Sequence, residues 1–301
     1  MAIRLGEETM RRRAHHCLSA CLAIGALLVG AGPLGRSAVA AAGPAVWPLG
    51  DSVTLGLSAG GPGNYSPGGY RAILDSYLNQ DGVAHDFVGS STLNSTPTLT
   101  SEGQNHHDGH SGYRIDQDAA DLDGVAGAGT DDGGYWMTRA SDPIVPDAVI
   151  IDLGGNDILQ HYDPARSFPT LNGQADYSDP SQVSTFVADM TGRLRSLVDK
   201  VEGLHPGTRV VLSDATPIGT GHVDPVTGAY ADAVRNLAGQ EGAAGVRLVF
   251  ADVWSQFVEA GPNGPVIVPG LISADQVHPT PAGYQVIASV YRPALESVLS
   301  G

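Results

Sequence analysis

Ser52, Asp275 and His278 are the residue types that together carry out acyl transfer. Ser52 closes the triplet Gly50-Asp51-Ser52 behind a short apolar run, and Asp275-x-x-His278-Pro279 answers it from the far end of the chain. A serine hydroxyl is a poor nucleophile near neutral pH unless a base removes its proton, and the base needs a carboxylate to fix its tautomer. Ser52 is therefore the candidate nucleophile, His278 the candidate base and Asp275 its orienting acid. Between them lie Gly112 and the run Gly154-Gly155-Asn156-Asp157. A tetrahedral oxyanion needs donors fixed in advance, each worth roughly 2.7–4 kcal/mol. Glycine at 112 lets a backbone approach the substrate without a Cβ. The N–H of Ser52, at the start of an expected helical turn, is a further donor. The bland alternatives are a turn serine at 52 and a turn asparagine at 156. Asp51 and Asp157 flank two of these residues and read as supports, their short carboxylates bonding nearby backbone N–H groups.

Five short apolar stretches, each followed by a turn signal, read as strands: 45–49, 86–89, 148–153, 209–213 and 247–251. A helix is expected over 181–202, where Val183, Phe186, Val187, Met190, Leu194, Leu197, Val198 and Val201 recur at three and four. A second covers 69–78, with the stripe Tyr70, Ile73, Leu74 and Tyr77. The last begins after Thr280, a capping residue with Pro281 at the first helical position. Strands alternating with helices predict a parallel sheet covered on both faces. The site of such a sheet lies outside the carboxyl ends of its strands. Ser52 follows the first strand, Asn156 the third, and His278 precedes the last helix, so all three reach one rim. Three polar segments, 90–110, 124–146 and 158–180, read as long loops, either functional walls or disordered.

Residues 1–40 read as a secretory leader: Arg11-Arg12-Arg13, an apolar run from Cys17 to Gly32, then Ala38-Val39-Ala40 as a cleavage site. The run is about 16 residues, short of the ~20 that span a bilayer, which favours a cleaved leader over the alternative of an uncleaved anchor. Lipidation at Cys21 is rejected because the apolar run follows that residue, and no apolar pair follows the arginines to support a twin-arginine signal. Translation could start at Met1 or Met10. A single domain is expected over 41–301, with a core large enough to stand without staples. Both cysteines leave with the leader, so neither disulfide nor thiol chemistry is expected in the mature chain. The formal net charge is −16 for the 301 residues, and loss of the leader leaves 11 basic against 30 acidic residues. Such a surface repels nucleic acid and anionic membranes. A secreted, extracellular monomer with no cofactor, no nucleic-acid partner and no stable membrane association is the expectation.

Gly50-Asp51-Ser52, Gly112, Gly154-x-Asn156-Asp157 and Asp275-x-x-His278 resemble, in order, the four sequence blocks of the SGNH (GDSL-type) hydrolases. The likeness implies a three-layer α/β/α flavodoxin-like sandwich with a central parallel sheet of about five strands. It implies ester hydrolysis without a metal, with Ser52, His278 and Asp275 in the roles given above. Gly112, through its N–H, and Asn156, through its side-chain amide, then join Ser52 as oxyanion donors. The stretch Gly109-His110-Ser111-Gly112-Tyr113-Arg114-Ile115-Asp116-Gln117, behind Asp86-Phe87-Val88-Gly89-Ser90, is similar to secreted acetyl xylan esterases of carbohydrate esterase family three. Tyr113 stands where those enzymes commonly have tryptophan.

Deacetylation of a plant polysaccharide such as acetylated xylan is thus the leading expectation, with Tyr113, Tyr135, Trp136 and His110 as candidate substrate contacts. Each aromatic could equally belong to the core. The alternatives are a general short-chain, lipid or phospholipid carboxylesterase on the same site, and a non-catalytic carbohydrate-binding protein, whose mark would be a lost nucleophile or base. His106, His107 and His110 with Asp108 form the one cluster with metal-like spacing; a solvated rim of the cleft is the preferred reading. His85, His161, His205 and His222 stand alone and are expected on the surface.

Overall fold

The apolar runs are buried on both faces, which is why they lack the alternation of a half-exposed strand. In the computed structural model they form β1 (Ala45–Gly50), β2 (Asp86–Phe87), β4 (Ala148–Asp152), β5 (Arg209–Ser213) and β6 (Leu248–Ala251), and a short strand outside those runs, β3 (Asp108–Gly109), joins them. All pairings among them are parallel, in the order β2-β1-β4-β5-β6, with β3 joining β1 beyond the end of β2. The structure describes residues 43–58, 65–124, 134–160, 180–219 and 225–300. Around the sheet run α1 (Ser52–Leu55), α2 (Gly69–Asp81), α3 (Pro97–Glu102), α4 (Ile115–Asp121), α5 (Gly155–Leu159), α6 (Pro180–Leu204), α7 (Pro225–Ala244), α8 (Trp254–Phe257) and α9 (Pro281–Ser300). An antiparallel hairpin, β7 (Val258–Gly261) with β8 (Gly264–Ile267), stands apart.

Successive strand side chains point to opposite faces, and the core divides accordingly. Trp47, Leu49, Val149, Ile151, Val210 and Leu212 pack with α6 and α7. Val46, Ala148, Ile150 and Val211 pack with α2 and α9. The result is the expected three-layer α/β/α sandwich. Thr280 caps α9 through the N–H of Gly283 at 3.1 Å, with Pro281 opening the helix as read from the sequence.

Pro48 sits in a central strand, where a missing N–H is normally excluded. The carbonyls of Val46 and Gly50 accept from Val88 and His110, so the even-numbered residues of β1 face β2 and β3. Pro48 therefore falls where β2 has stopped at Phe87 and β3 starts opposite Leu49, and no ladder bond is lost.

Several expectations need correction. The segment 90–110 is not plain loop, since it contains α3 and β3. The strand expected over 86–89 pairs only as far as Phe87. The long helix α7 has no clear sequence signature because its buried stripe, Val226, Tyr230, Val234, Leu237 and Ala238, is diluted by glycine and alanine. The hairpin is likewise unexpected, although Pro262-Asn263-Gly264 carries a turn signal for it. The leader, His161, His222, residues 125–133 of the segment 124–146 and residues 161–179 of the segment 158–180 lie outside the described residues. No helix among the described residues is long and apolar enough to cross a membrane.

Candidate active site

The site begins where β1 stops. Asp51 caps α1 by accepting the N–H of Val53 at 2.8 Å, which places Ser52 at the first helical position. A four-residue helix exposes unsatisfied carbonyls at its far end. Two side chains from elsewhere take them. Arg71, fully buried on α2, donates to the carbonyls of Thr54 (3.1 Å) and Leu55 (3.5 Å), and Asn94 Nδ2 donates to those of Leu55 (2.8 Å) and Gly56 (3.1 Å). Burial lowers the Arg71 guanidinium to about 10, still charged at neutral pH. Neither residue stands out in the sequence, because nothing local links them to Ser52.

The loop before α9 supplies the partners. His278 Nε2 lies 2.9 Å from Ser52 Oγ, across 226 positions of chain, and its Nδ1 lies 2.8 Å from Asp275 Oδ2. Asp275 Oδ1 accepts from the Ser273 hydroxyl (2.7 Å) and from the N–H groups of Val277 and His278 (3.0 Å each). Partial burial alone would raise this carboxyl. The bonds from the His278 N–H, the Ser273 hydroxyl, the imidazole and the Val277 N–H outweigh it and hold Asp275 well below the usual carboxylate range. It therefore stays ionised at neutral and mildly acidic pH, with Nδ1–H donating and Nε2 left to accept from Ser52. Between the two, Gln276 adopts φ 68°, a left-handed conformation whose strain the loop tolerates through its own bonds. The N–H of Ser273 donates to the His278 carbonyl at 2.8 Å, and the Gln276 carbonyl accepts from Gly219 at 2.9 Å.

Asn156 enters from α5. Its turn requires Gly154 at φ 117°, where an added Cβ would sit 2.4 Å from the Tyr230 ring. Asn156 Nδ2 donates to Asp51 Oδ2 at 3.1 Å, so one carboxylate fixes both the turn that carries Ser52 and the amide's orientation. Gly112, at φ 83° with open space beside its Cα, is tied to the same helix because Gln160 Nε2 donates to its carbonyl at 2.7 Å. Asp157 does not fix its own turn. It accepts from the Ile115 N–H at 3.1 Å and from Arg193 at 3.0 Å, joining α5 to α4 and α6.

Ser52, Asn156, Asp152, Leu159, Ile218 and Val277 enclose part of a cavity of about 20 Å³. Water needs roughly 10–15 Å³ on this measure, so one small group fits. Burial first, then the neighbouring Asp152, pushes Asp51 up to about 7; burial first, then Asp214, does the same for Asp152.

Residues 49–286, which carry every group just described, match the GDSL-like lipase/acylhydrolase family. The chain belongs to that family. As a GDSL-like acylhydrolase it is a carboxylic ester hydrolase. No curated protein matches it. Among solved structures, a family 3 carbohydrate esterase of Clostridium thermocellum is 24% identical, covering 85% of this chain and 97% of its own, with a TM-score of 0.56. A carbohydrate esterase family 3 protein from Talaromyces cellulolyticus is 20% identical over 85% and 98%, with a TM-score of 0.57. An acetyl esterase mutant with acetate ion is 19% identical over 85% and 98%, with a TM-score of 0.58. At these identities the likeness establishes the fold.

The aromatic candidates of this GDSL-like acylhydrolase divide. Trp136 is fully buried and meets Trp47 edge-on at 6.0 Å, and Tyr113 is buried in the same cluster, so neither is a platform. Tyr135 is exposed, at φ 59°. His110 lies between the rings of Tyr113 and Trp136, its side chain 10% exposed, and it offers no open face to substrate. The histidine cluster is not a uniform solvated rim. His106 is exposed, but His107 is fully buried, its Nδ1 accepting from Gly109 N (3.0 Å) and its Nε2 donating to Leu93 O (2.8 Å). Burial drives its pKa far down, and both nitrogens are already used. No group of three His, Cys, Asp or Glu side chains among the described residues is arranged to hold a metal. His85 is not on the surface either. It is buried 3.0 Å from Asp75 and 3.0 Å from the Val83 carbonyl. His205 is half-buried and bonded to Thr208 at 3.1 Å.

Proposed function

We propose that the protein is a secreted serine esterase that removes acetyl groups from plant polysaccharide such as acetylated xylan. The observation that carries the reading is the unbroken relay Ser52 Oγ–His278 Nε2–Nδ1–Asp275, 2.9 and 2.8 Å long, opening onto a cavity sized for one small group. Ser52 attacks the acetyl carbonyl as His278 takes its proton. The N–H groups of Ser52 and Gly112 and Nδ2 of Asn156 hold the oxyanion. His278 returns the proton to the sugar oxygen as it leaves, and a water then repeats the sequence on the acetyl-enzyme. Asp275 holds the Nδ1–H of His278 throughout, which leaves Nε2 free to accept the serine proton and stabilises the imidazolium that forms.

The small cavity favours acetyl over longer acyl chains, since each further methylene would need room that Leu159 and Ile218 occupy. The sugar half of the reading rests on the 109–117 segment and on the carbohydrate esterases that share the fold. Secretion rests on the basic, apolar and small-residue sequence of positions 1–40. The deciding experiment pairs acetate release from acetylated xylan with hydrolysis of 4-nitrophenyl esters of rising chain length. Wild type should prefer acetyl and act on the polymer, and Ser52→Ala should lose several orders of magnitude in kcat while staying folded. Near-wild-type turnover by Ser52→Ala removes the mechanism, and rising rates with longer chains replace the polysaccharide by a lipid-like substrate.

A further inference from the structure

We propose that His110 is a positioning residue of the oxyanion hole: its clamped ring and backbone bonds hold the turn that presents the N–H of Gly112. The proposal rests on the assignment of Gly112 as an oxyanion donor made above.

His110 opens the turn. Its N–H donates to the Gly50 carbonyl at 2.9 Å, and its own carbonyl accepts from Tyr113 at 3.1 Å. Gly50 stands two residues before Ser52, so the first bond ties the turn to the nucleophile's strand. Gly112 lies inside the turn, next to the peptide that His110 controls. Its left-handed φ of 83° leaves it no intrinsic preference for that shape, and glycine must be held by its neighbours.

The hold comes from the ring. Tyr113 stacks on it at 4.8 Å and 26°, and Trp136 at 5.0 Å and 13°. Nε2 faces Asp108 Oδ1 at 3.4 Å, and a carboxylate there can only accept. Asp108 is itself fixed, fully buried on β3, with Oδ2 accepting from Trp47 Nε1 at 2.7 Å and from the Ser90 N–H at 3.0 Å. Trp47 on β1 meets Trp136 edge-on, which closes a circuit from the central strand through Asp108 and His110 and back. Aromatic contacts of this kind contribute about 0.5–1.5 kcal/mol each beyond burial. Only a flat ring carrying a donor satisfies all three neighbours.

A misplaced donor loses its share of the transition state while substrate binding is untouched. One oxyanion donor is worth about 10²–10³ in kcat, so partial loss of alignment predicts a decrease of roughly ten- to a hundredfold. The test uses His110→Ala and His110→Phe on 4-nitrophenyl acetate, which has no sugar, with thermal melts and titration by a small alkyl boronic acid that mimics the oxyanion. His110→Ala should lower kcat ten- to a hundredfold with KM within about twofold, and weaken the boronate in proportion. His110→Phe, which keeps the stack and loses the donor, should recover part of the loss. A raised KM at constant kcat would assign the ring to substrate contact and overturn the proposal, as would unchanged kcat in a folded variant. If His110→Ala does not fold, His110→Phe is judged alone: kcat lowered at constant KM supports the proposal, unchanged kcat ends it. Ser52→Ala is measured alongside, because turnover surviving there defeats the esterase mechanism and not this inference.

Discussion

Replacing Asp51 by asparagine changes one terminal atom and should silence the site without unfolding it. Asp51 accepts two hydrogen bonds, from Val53 N at 2.8 Å and from Asn156 Nδ2 at 3.1 Å. An amide at 51 must keep its oxygen toward Val53 to go on capping the turn, so its NH₂ then faces that of Asn156. Two donors cannot bond each other, and Asn156 relieves the clash by flipping. The flip turns a carbonyl toward the developing oxyanion in place of a donor. Loss of that donor costs roughly 2.7–4 kcal/mol, or 10²–10³ in kcat. KM should barely move, because the oxyanion exists only on the way to the transition state. The fold should tolerate the change, since the buried Asp51 carboxylate is disfavoured first by burial and then by Asp152. The assay is kcat and KM on 4-nitrophenyl acetate together with the melting temperature. A folded Asp51→Asn enzyme within threefold of wild-type kcat refutes the argument that this carboxylate orients the amide.

Other outcomes are equally open to measurement. Leu159→Ala or Ile218→Ala should widen the cavity beside Ser52 and raise kcat/KM for butyryl relative to acetyl esters. Two further methylenes at about 0.8 kcal/mol each give roughly tenfold; an unaltered chain-length profile places the acyl group elsewhere. The melting temperature should fall as pH rises from about 4 to about 7. Burial, the largest cause in each case, pushes Asp51, Asp152 and Asp214 up to about 7 and Asp157 to about 6. An acid that holds its proton more tightly folded than unfolded supports the fold in the protonated form and loses that support as pH climbs through these values. His85 acts in the same direction. Burial alone would lower its pKa, but the bonds to Asp75 and to Val83 raise it, so its contribution is present below 6.5 and lost above the folded value. Asp275 opposes them only in strong acid, where its depressed carboxyl finally protonates. A melting temperature that climbs steadily over the same range would contradict the sum.

Ser52, His278 and Asp275, the proposed nucleophile, base and acid, could be picked from the sequence because each stands beside a distinctive neighbour at an element boundary. The structure brings the three within hydrogen-bond reach. The sheet was legible for a related reason: strands buried on both faces leave uninterrupted apolar runs, and only β3 was missed, its two residues carrying no apolar signal. Side-chain environment was harder to read. His85 looks like a solitary surface residue and His107 like part of a solvated rim until Asp75 and the carbonyls of Val83 and Leu93, ten or more positions away in two cases, are brought to them. Trp136 and Tyr113 have the composition of a sugar platform and the burial of a core, and only the packing of His110 between them decides. Arg71, Asn94 and Gln160 reach the site by donating to backbone carbonyls, an interaction that leaves no residue pattern behind.

The 226 positions between Ser52 and His278 have a consequence for how the protein comes to life. The imidazole is held near the hydroxyl by the loop before α9, a helix that packs on α2 and whose Tyr284 donates to the Leu57 carbonyl. Any partial chain that stops before residue 278 holds a serine with no base. On the proposed mechanism, hydrolysis thus requires both ends of the sandwich to be in place, and a chain that has not yet reached the loop before α9 is inert by chain order.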